Sequence, residues 1–142
     1  MQLRDAAASD TAAVHELLRG CGLPTEGVPD DAALLVVAES GGRLVGVAGL
    51  ELHGADALLR SVAVAPESRG KGIAARLCAQ VERRAPALGA QRVFLLTETA
   101  ERFFARRGYR RLERARAPAG IAASREFAAL CPDSAVLMFR EL

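Results

Sequence analysis

Residues 62–74 read Val-Ala-Val-Ala-Pro-Glu-Ser-Arg-Gly-Lys-Gly-Ile-Ala, and most of the chain's organisation follows from this stretch. It predicts a strand, a proline-containing connection, a basic glycine-rich turn and the start of a helix. Gly70 and Gly72 leave the backbone N–H groups of the turn open to an anion, and a helix N-terminus adds further N–H donors and the positive end of its dipole. Arg69 and Lys71 add full charges. The stretch therefore predicts a pyrophosphate-binding turn at the end of a strand.

Two other phosphate-binding motifs fit this turn less well. A Walker loop needs Gly-x-x-x-x-Gly-Lys followed by Ser or Thr, and that spacing is absent. A dinucleotide fingerprint placed on Gly70, Gly72 and Ala75 would follow its strand too late, because residues 66–69 intervene. A tight turn without a ligand would not need arginine, lysine and a helix start together, so phosphate binding is the favoured interpretation.

Length and composition limit the class of protein. The chain has 142 residues, a net charge of +2 and 51% hydrophobic residues. These values predict one domain spanning residues 1–142 with a sizeable core. The near-balanced charge argues against a nucleic-acid partner. Three scattered cysteines without a Cys-x-x-Cys pattern predict reduced thiols, a cytoplasmic location and no metal site. No segment has the composition of a signal peptide or a membrane span.

Hydrophobic periodicity and turn signals predict an α/β fold whose mixed sheet is mostly antiparallel before the glycine turn. An amphipathic helix follows that turn, and a further helix closes at Gly108. A short edge strand is expected around Leu3, and a first helix is expected to begin at Ser9 or Asp10. The predicted strands are 34–38, 44–52, 57–65, 93–97, 109–114 and 135–140, and the later helices are 70–85, 99–107 and a short one near 124–130.

The glycine turn resembles a known motif. Arg69-Gly70-Lys71-Gly72-Ile73-Ala74 is similar to the Arg/Gln-x-x-Gly-x-Gly/Ala motif of the GCN5-related N-acetyltransferase (GNAT) superfamily. A second stretch, Thr97-x-x-Ala100-x-x-Phe103-Phe104-x-x-x-Gly108-Tyr109, resembles the superfamily's Asn-x-x-Ala-x-x-Phe-Tyr-x-x-x-Gly-Phe. The resemblance implies a single GNAT domain, with a twisted sheet flanked by helices, and acetyl-CoA as the co-substrate.

The resemblance also implies where coenzyme A binds. The fourth and fifth strands would splay apart at the thioester, and the backbone of Val62, Ala63 and Val64 would pair with the pantetheine arm. A backbone N–H near Val62 or Ala63 would face the developing oxyanion. The remaining residues that we expect to contact coenzyme A are Arg69, Gly70, Lys71, Gly72, Ile73, Ala74, Phe103, Phe104 and Arg106.

Arg60 stands in the middle of an apolar strand, where a buried charge needs a partner. Strand alternation places Leu58, Arg60, Val62 and Val64 on one face and Ser61 on the other, unless a bulge redirects Ser61. Two roles for Arg60 stay open. It can be a fork for an acceptor's anionic group or the internal partner of Glu51 on the neighbouring strand, and the two roles can apply at different stages of the reaction.

Glu51 is the candidate general base, acting directly or through water, with His53 as an outside candidate. Phe104 stands where the superfamily often has a tyrosine that protonates the leaving thiolate. Water or another hydroxyl would then supply the proton, or the thiolate would leave unprotonated. Tyr109 is expected to pack in the core, and Glu98 to serve a helix N-terminus.

Four further stretches look like the bacterial arsenic-resistance N-acetyltransferases: Gly-Leu-Glu at 49–51, Ala-Leu-Leu-Arg-Ser-Val-Ala-Val at 57–64, Leu-Leu-Thr-Glu-Thr-Ala at 95–100, and Ser-x-Glu-Phe-x-x-Leu-Cys-Pro-x-Ser-Ala at 124–135. This resemblance implies acetylation of a small toxic amino acid such as arsinothricin or its phosphinate analogue. The expected acceptor-binding residues are Arg60, Ser61, Thr97, Thr99, Ser124 and Glu126, the last two with helix capping as the alternative role.

The sequence leaves alternatives for the role of Cys131 and for the function of the chain. Cys131 is either an arsenic-binding thiolate or a small buried hydrophobe. The chain is either the small-molecule enzyme, an N-terminal acetyltransferase of proteins or peptides, or a coenzyme A-binding sensor without turnover. We expect a small amino-acid-like partner, no nucleic-acid or membrane partner, and compatibility with a homodimer.

Overall fold

The computed structural model describes residues 1–130 and 133–142, and seven strands in this part of the chain form one mixed sheet. Their order in the sheet is β1-β2-β3-β4-β5-β7-β6, and only β4 and β5 pair in parallel. The strands are β1 (Gln2–Asp5), β2 (Leu34–Ser40), β3 (Arg43–His53), β4 (Asp56–Val64), β5 (Arg92–Thr97), β6 (Arg110–Leu112) and β7 (Val136–Glu141). The predicted α/β class with a mostly antiparallel sheet is confirmed.

Four helices flank the sheet in the described residues: α1 (Thr11–Gly20), α2 (Ile73–Arg84), α3 (Glu101–Arg106) and α4 (Ala119–Ala122). Helix α2 begins later than predicted because Gly70 and Gly72 have φ of +79° and +78°. Such values are not helical backbone. Helix α3 is shorter than predicted, and Gly108 follows it in the left-handed conformation that ends helices. Near the C-terminal end, a π-helical turn (Glu126–Leu130) precedes β7.

Apolar side chains pack on both faces of the sheet. On one face, Leu77 and Val81 of α2 join a cluster with Val36, Leu50 and Leu59 of the strands, as the four-residue repeat in α2 predicts. On the other face lie two smaller clusters, one under α1 (Val14, Leu18, Val37, Val47, Val28, Ala63) and one under α4 (Leu58, Phe94, Ile121, Leu137). The sheet is therefore the middle layer of the fold, with apolar packing on both of its faces.

A β-bulge in β4 changes which side chains share a face. Gly49 pairs with Arg60 and Val47 pairs with Ala63, so β4 carries an extra residue over this stretch. Ser61 is in the left-handed region, with φ of +58°. The predicted common face of Leu58, Arg60, Val62 and Val64 is therefore wrong: Leu58 packs under α4, whereas Val62 and Val64 pack on the α2 face.

Strands β4 and β5 separate shortly after they begin to pair. Their pairing is limited to Asp56 with Arg92, Ala57 with Val93 and Leu58 with Phe94. Strand β4 continues to Val64 and β5 to Thr97, and over this length the two strands enclose an opening. This is the splay that the resemblance implied. It leaves the β5-facing edge of β4 available to a ligand.

Leu77 gives a direct test of how the sheet holds α2, because its side chain is fully buried. Leu77→Ala should cost about 2–5 kcal/mol of unfolding free energy, since the variant loses apolar burial and leaves a cavity. The matched control is Leu88→Ala, because the Leu88 side chain is 41% exposed. Its loss should change stability by less than about 0.5 kcal/mol. Urea unfolding followed by circular dichroism measures both, and equal losses in the two variants would contradict this packing.

Candidate active site

A cleft of about 990 Å³ occupies the opening between β4 and β5. The second half of β4 forms one wall, and the end of β5 with the start of α3 forms the other. The glycine turn closes one end, while Arg60 and Glu126 lie at the other. The lining residues are Cys21–Pro24, Leu59–Val64, Ser68, Arg69, Gly70, Gly72–Ala75, Leu95–Ala100, Phe103, Phe104, Glu126 and Ala135.

At the turn end, the backbone has the geometry of an anion site. The first hydrogen bond into α2 runs from the Arg76 N–H to the Gly72 carbonyl at 3.1 Å. The N–H groups of the first helical turn are therefore available to a ligand. Arg69 ties the turn to the strand, since its Nε donates to the Val64 carbonyl at 3.1 Å. Positive charge and backbone donors thus meet at the place where the sequence predicts a pyrophosphate.

Not every predicted coenzyme A contact lines the cleft. Val62, Ala63, Val64, Arg69, Gly70, Gly72, Ile73, Ala74, Phe103 and Phe104 do. Lys71 and Arg106 are exposed and lie outside the lining residues. Their contacts with coenzyme A therefore stay predictions.

At the other end of the cleft, Arg60 lies at the centre of a buried charged cluster that we define as Arg60, Glu51, Glu126 and His53. Arg60 Nη1 donates to Glu51 Oε2 at 2.7 Å, and Arg60 Nε lies 2.7 Å from Glu126 Oε2. Arg60 Nη2 donates to the Glu26 carbonyl at 2.8 Å, and Nε also lies 3.2 Å from Ser61 Oγ. Every nitrogen of the guanidinium thus has a protein partner.

Glu51 is bound on both carboxylate oxygens by members of the charged cluster. It is 3% exposed, its Oε1 lies 3.0 Å from His53 Nε2, and it is not among the described residues that line the cleft. The internal pair of Arg60 with Glu51 is therefore the arrangement that the structure contains. Because an isolated buried arginine would be costly, Glu51 and Glu126 together permit its burial.

The other predicted acceptor contacts divide into two groups. Ser61, Thr97, Thr99 and Glu126 line the cleft with Arg60. Thr97 Oγ1 also accepts the Ala100 N–H at 3.0 Å, which shapes the entry to α3. Ser124 is buried outside the lining residues, where its Oγ donates to the Ile121 carbonyl and accepts the Phe127 N–H. Ser124 thus fills the capping role that the sequence left as its alternative.

Phe104 contacts the cleft, and the tyrosine of the chain does not replace the missing hydroxyl there. Tyr109 is 3% exposed, packs edge-on against Phe104 and donates its hydroxyl to Glu82 Oε2 at 2.8 Å. Burial, followed by the nearby Glu82 carboxylate, raises the pKa of Tyr109 above its usual range. Tyr109 is therefore a core residue, as the sequence predicts.

Some features of the cleft are not predictable from the sequence motifs. Cys21–Pro24 from the loop after α1 and Ser68 before the turn line the cleft without any local signal for that position. Glu98 lines it too and accepts a hydrogen bond from Ser134 Oγ at 2.9 Å, rather than serving the N-terminus of α3.

The cysteines differ in environment. Cys78 is buried in the core, and this burial raises the pKa of its thiol to about 12. Cys21 is partly exposed in the cleft. Cys131 lies outside the described residues, and within those residues no group of three or more His, Cys, Asp or Glu side chains is placed to hold a metal ion.

Each helix in the described residues is too short or too polar to cross a bilayer.

Comparison with known protein families matches residues 6–112 to the model of the acetyltransferase (GNAT) family. A curated relative, the amino-acid acetyltransferase of Ralstonia nicotianae (strain ATCC BAA-1114 / GMI1000), is 32% identical over 116 residues. The match covers 75% of this chain and 26% of the relative, so the chain spans about a quarter of the relative's length.

Solved structures share the fold over essentially the whole chain. The N-acetylglutamate synthase of Neisseria gonorrhoeae, in complex with coenzyme A and N-acetyl-glutamate, has a TM-score of 0.84 at 21% identity, covering 99% of this chain and 35% of that one. Rv2747 of Mycobacterium tuberculosis, in complex with coenzyme A, has a TM-score of 0.83 at 25% identity, covering 100% of this chain and 99% of that one. Both have the expected fold, and the coenzyme A in the Rv2747 complex agrees with acetyl-CoA as the co-substrate.

The charged cluster predicts a large and specific stability effect. Arg60→Met should cost about 3–5 kcal/mol of unfolding free energy, because it leaves two buried carboxylates without their cation. Adding Glu51→Gln to Arg60→Met should recover part of that loss, since one of the two charges is then removed. Urea unfolding of the single and double variants measures the coupling. Arg43→Met, whose side chain is 82% exposed, is the control; a loss at Arg60 no larger than at Arg43 would contradict the cluster's role.

Proposed function

The chain belongs to the acetyltransferase (GNAT) family, and from this premise we propose that it transfers the acetyl group of acetyl-CoA to the amino group of a small amino acid. One observation carries the proposal: a single cleft runs from the glycine turn, which suits a pyrophosphate, to the charged cluster around Arg60. A cofactor bound at one end would present its thioester toward an acceptor at the other.

The cofactor half of the proposal rests on backbone chemistry. The Gly70–Ala74 N–H groups would hold the pyrophosphate, and the exposed edge of β4 at Val62–Val64 would pair with the amides of the pantetheine arm. The bulge at Ser61 lies where this edge meets the acceptor end. A backbone N–H of Val62 or Ala63 would there stabilise the oxyanion that forms on the thioester carbonyl.

The chemical step joins the acceptor nitrogen to the acetyl carbon and breaks that carbon's bond to sulfur. The amine must be neutral when it attacks, so a carboxylate or a water has to accept its proton. Phe104 cannot protonate the departing thiolate, and Tyr109 is bonded to Glu82 in the core. The thiolate would therefore take its proton from water, from a hydroxyl such as that of Thr97, or from the new amide nitrogen.

Two findings support an amino acid as the acceptor. The Ralstonia relative is named an amino-acid acetyltransferase. The stretches around Glu51, Arg60, Thr97 and Glu126 resemble arsenic-resistance N-acetyltransferases, and they supply four residues that lie at or beside the acceptor end. We propose a toxic amino acid such as arsinothricin or its phosphinate analogue, so that acetylation would give resistance to organoarsenicals.

A coenzyme A-binding sensor is the second candidate, because Phe104 lacks the hydroxyl that would serve the leaving thiolate. A turnover assay distinguishes the acetyltransferase from the sensor, because only the enzyme releases free coenzyme A thiol. We also propose a cytoplasmic location, supported by the free thiols of Cys21 and Cys78. A homodimer, and the lack of a nucleic-acid or membrane partner, stay predictions.

An acceptor screen tests the proposed reaction. Purified protein with acetyl-CoA should release free thiol in the presence of arsinothricin, phosphinothricin or an ordinary amino acid, and mass spectrometry should show one added acetyl group on the nitrogen. An N-terminal acetyltransferase would instead acetylate peptides and none of these amino acids. Coenzyme A binding without thiol release from any acceptor would favour the sensor.

Arg69 tests the cofactor end. Arg69→Ala should raise the KM for acetyl-CoA about tenfold or more, because it removes a charge at the turn and the bond that ties the turn to β4. The acceptor KM should stay within about threefold of wild type, since Arg69 lies at the opposite end. Arg43→Ala is the exposed control. An unchanged acetyl-CoA KM in Arg69→Ala would argue against a pyrophosphate at this turn.

A further inference from the structure

At the acceptor end of the cleft, the guanidinium of Arg60 is contacted by two carboxylates. Four charged residues line the whole cleft in the described part of the chain, and Arg69 lies at the turn end. Glu98 is exposed and bonds to Ser134 near the mouth. This leaves Arg60 and Glu126 at the acceptor end, and Arg60 is shared with Glu51. Two carboxylates, those of Glu51 and Glu126, therefore share the single guanidinium of Arg60.

Of the two members of the charged cluster that line the cleft, Glu126 has the more exposed side chain. The Arg60 side chain is 2% exposed and that of Glu126 is 10% exposed. The guanidinium is engaged by Glu51, Glu126, Ser61 and the Glu26 carbonyl. The Arg60 nitrogens are therefore already occupied by protein groups, so we expect an acceptor in the cleft to contact Glu126.

We propose that Glu126 binds the acceptor's amino group and accepts its proton, and that Arg60 is a positioning residue that holds this carboxylate at the cleft wall. The inference rests on the proposed function and names the charge that the acceptor presents first: a primary ammonium. It also gives the short segment between α4 and β7 a part in the chemistry.

The proton balance is simple. The acceptor enters as an ammonium, which is attracted to the Glu126 carboxylate. One proton moves to Glu126, and the neutral amine attacks the thioester carbonyl carbon, so that the new carbon–nitrogen bond replaces the carbon–sulfur bond. The second nitrogen proton leaves with the coenzyme A thiolate as the free thiol. The proton on Glu126 then passes to water in the cleft.

Glu51 is less well placed for this step. Its carboxylate is bound by Arg60 and His53, and Glu51 is not among the described residues that line the cleft. Glu51 fixes Arg60, and Arg60 in turn fixes Glu126. The sequence predicts Glu51 as the base because it adjoins Arg60 on the neighbouring strand, whereas Glu126 is 66 positions further along the chain from Arg60.

Glu126→Gln is the central variant, with Glu98→Gln as the matched control, because both carboxylates line the same cleft. Glu126→Gln should lower kcat/KM for the acceptor by about 10²–10⁴-fold, the usual effect of a general base. Its affinity for acetyl-CoA, measured by calorimetry, should stay within about threefold of wild type. Glu98→Gln should keep kcat/KM within about threefold of wild type.

Glu126→Asp tests whether activity depends on the carboxylate itself, because this variant keeps the carboxylate but shortens the side chain. It keeps the charge, so it should retain at least about tenfold more activity than Glu126→Gln. Equal activity in the two variants would overturn the proposal, because the carboxylate would then not matter. A Glu126→Gln variant with wild-type kcat/KM would also overturn the proposal. If Glu51→Gln lost activity while Glu126→Gln kept it, the base would be Glu51.

Activity of the wild-type protein distinguishes an error in the role of Glu126 from an error in the proposed function. If the wild-type protein acetylates no amine, the proposed function is wrong and the role of Glu126 falls with it. If the wild-type protein acetylates an amine and Glu126→Gln is equally active, the function stands and only the role of Glu126 is lost. A similar loss of acetyl-CoA affinity in Glu126→Gln would show a structural effect and also contradict the proposal.

Discussion

The separation of β4 from β5 beyond Leu58 and Phe94 is the constraint on which the rest of the molecule depends. Backbone N–H and C=O groups inside a sheet normally pair with the next strand. Here the second half of β4 faces a cleft, and a ligand that carries amides can take the place of the missing strand. The bulge at Ser61 adds a further distortion, since a left-handed serine costs about 1–3 kcal/mol unless the surrounding contacts support it.

Those surrounding contacts come largely from charge. Arg60 adjoins the bulge, its Nε lies within reach of Ser61 Oγ, and its other nitrogens bind Glu51 and the loop carbonyl of Glu26. A buried ion pair adds little net stability compared with well-packed apolar residues, but breaking one is expensive. The charged cluster therefore fixes the position of the cleft wall more than it stabilises the fold. The same cluster includes Glu126, which lines the cleft beside Arg60.

Much of the cofactor end was predictable from sequence, because its signals are local. The glycines at 70 and 72, the adjacent arginine and the apolar repeat of α2 lie within one short stretch, and the structure places the glycines and the arginine in the wall of the cleft at the start of α2. The buried pair of Arg60 with Glu51 was foreseeable as one of two alternatives, since the two residues lie on neighbouring strands. The bulge was not foreseeable in position, because the register between strands depends on the whole sheet. As a result, the predicted common face of Leu58, Val62 and Val64 was wrong. The contact of Glu126 with Arg60 depends on how a distant segment packs, and no local pattern reports it.

A crystal structure with coenzyme A and an unreactive analogue of the acceptor tests the central claim most directly. We predict that the pantetheine arm lies between β4 and β5, hydrogen-bonded to the backbone of Val62–Val64. The pyrophosphate should lie on the Gly70–Ala74 turn, and the acceptor nitrogen should lie within hydrogen-bond distance of Glu126. An acceptor whose anionic group binds Arg60, with Glu126 displaced, would contradict the role given to the charged cluster. Coenzyme A bound outside the cleft would contradict the account as a whole.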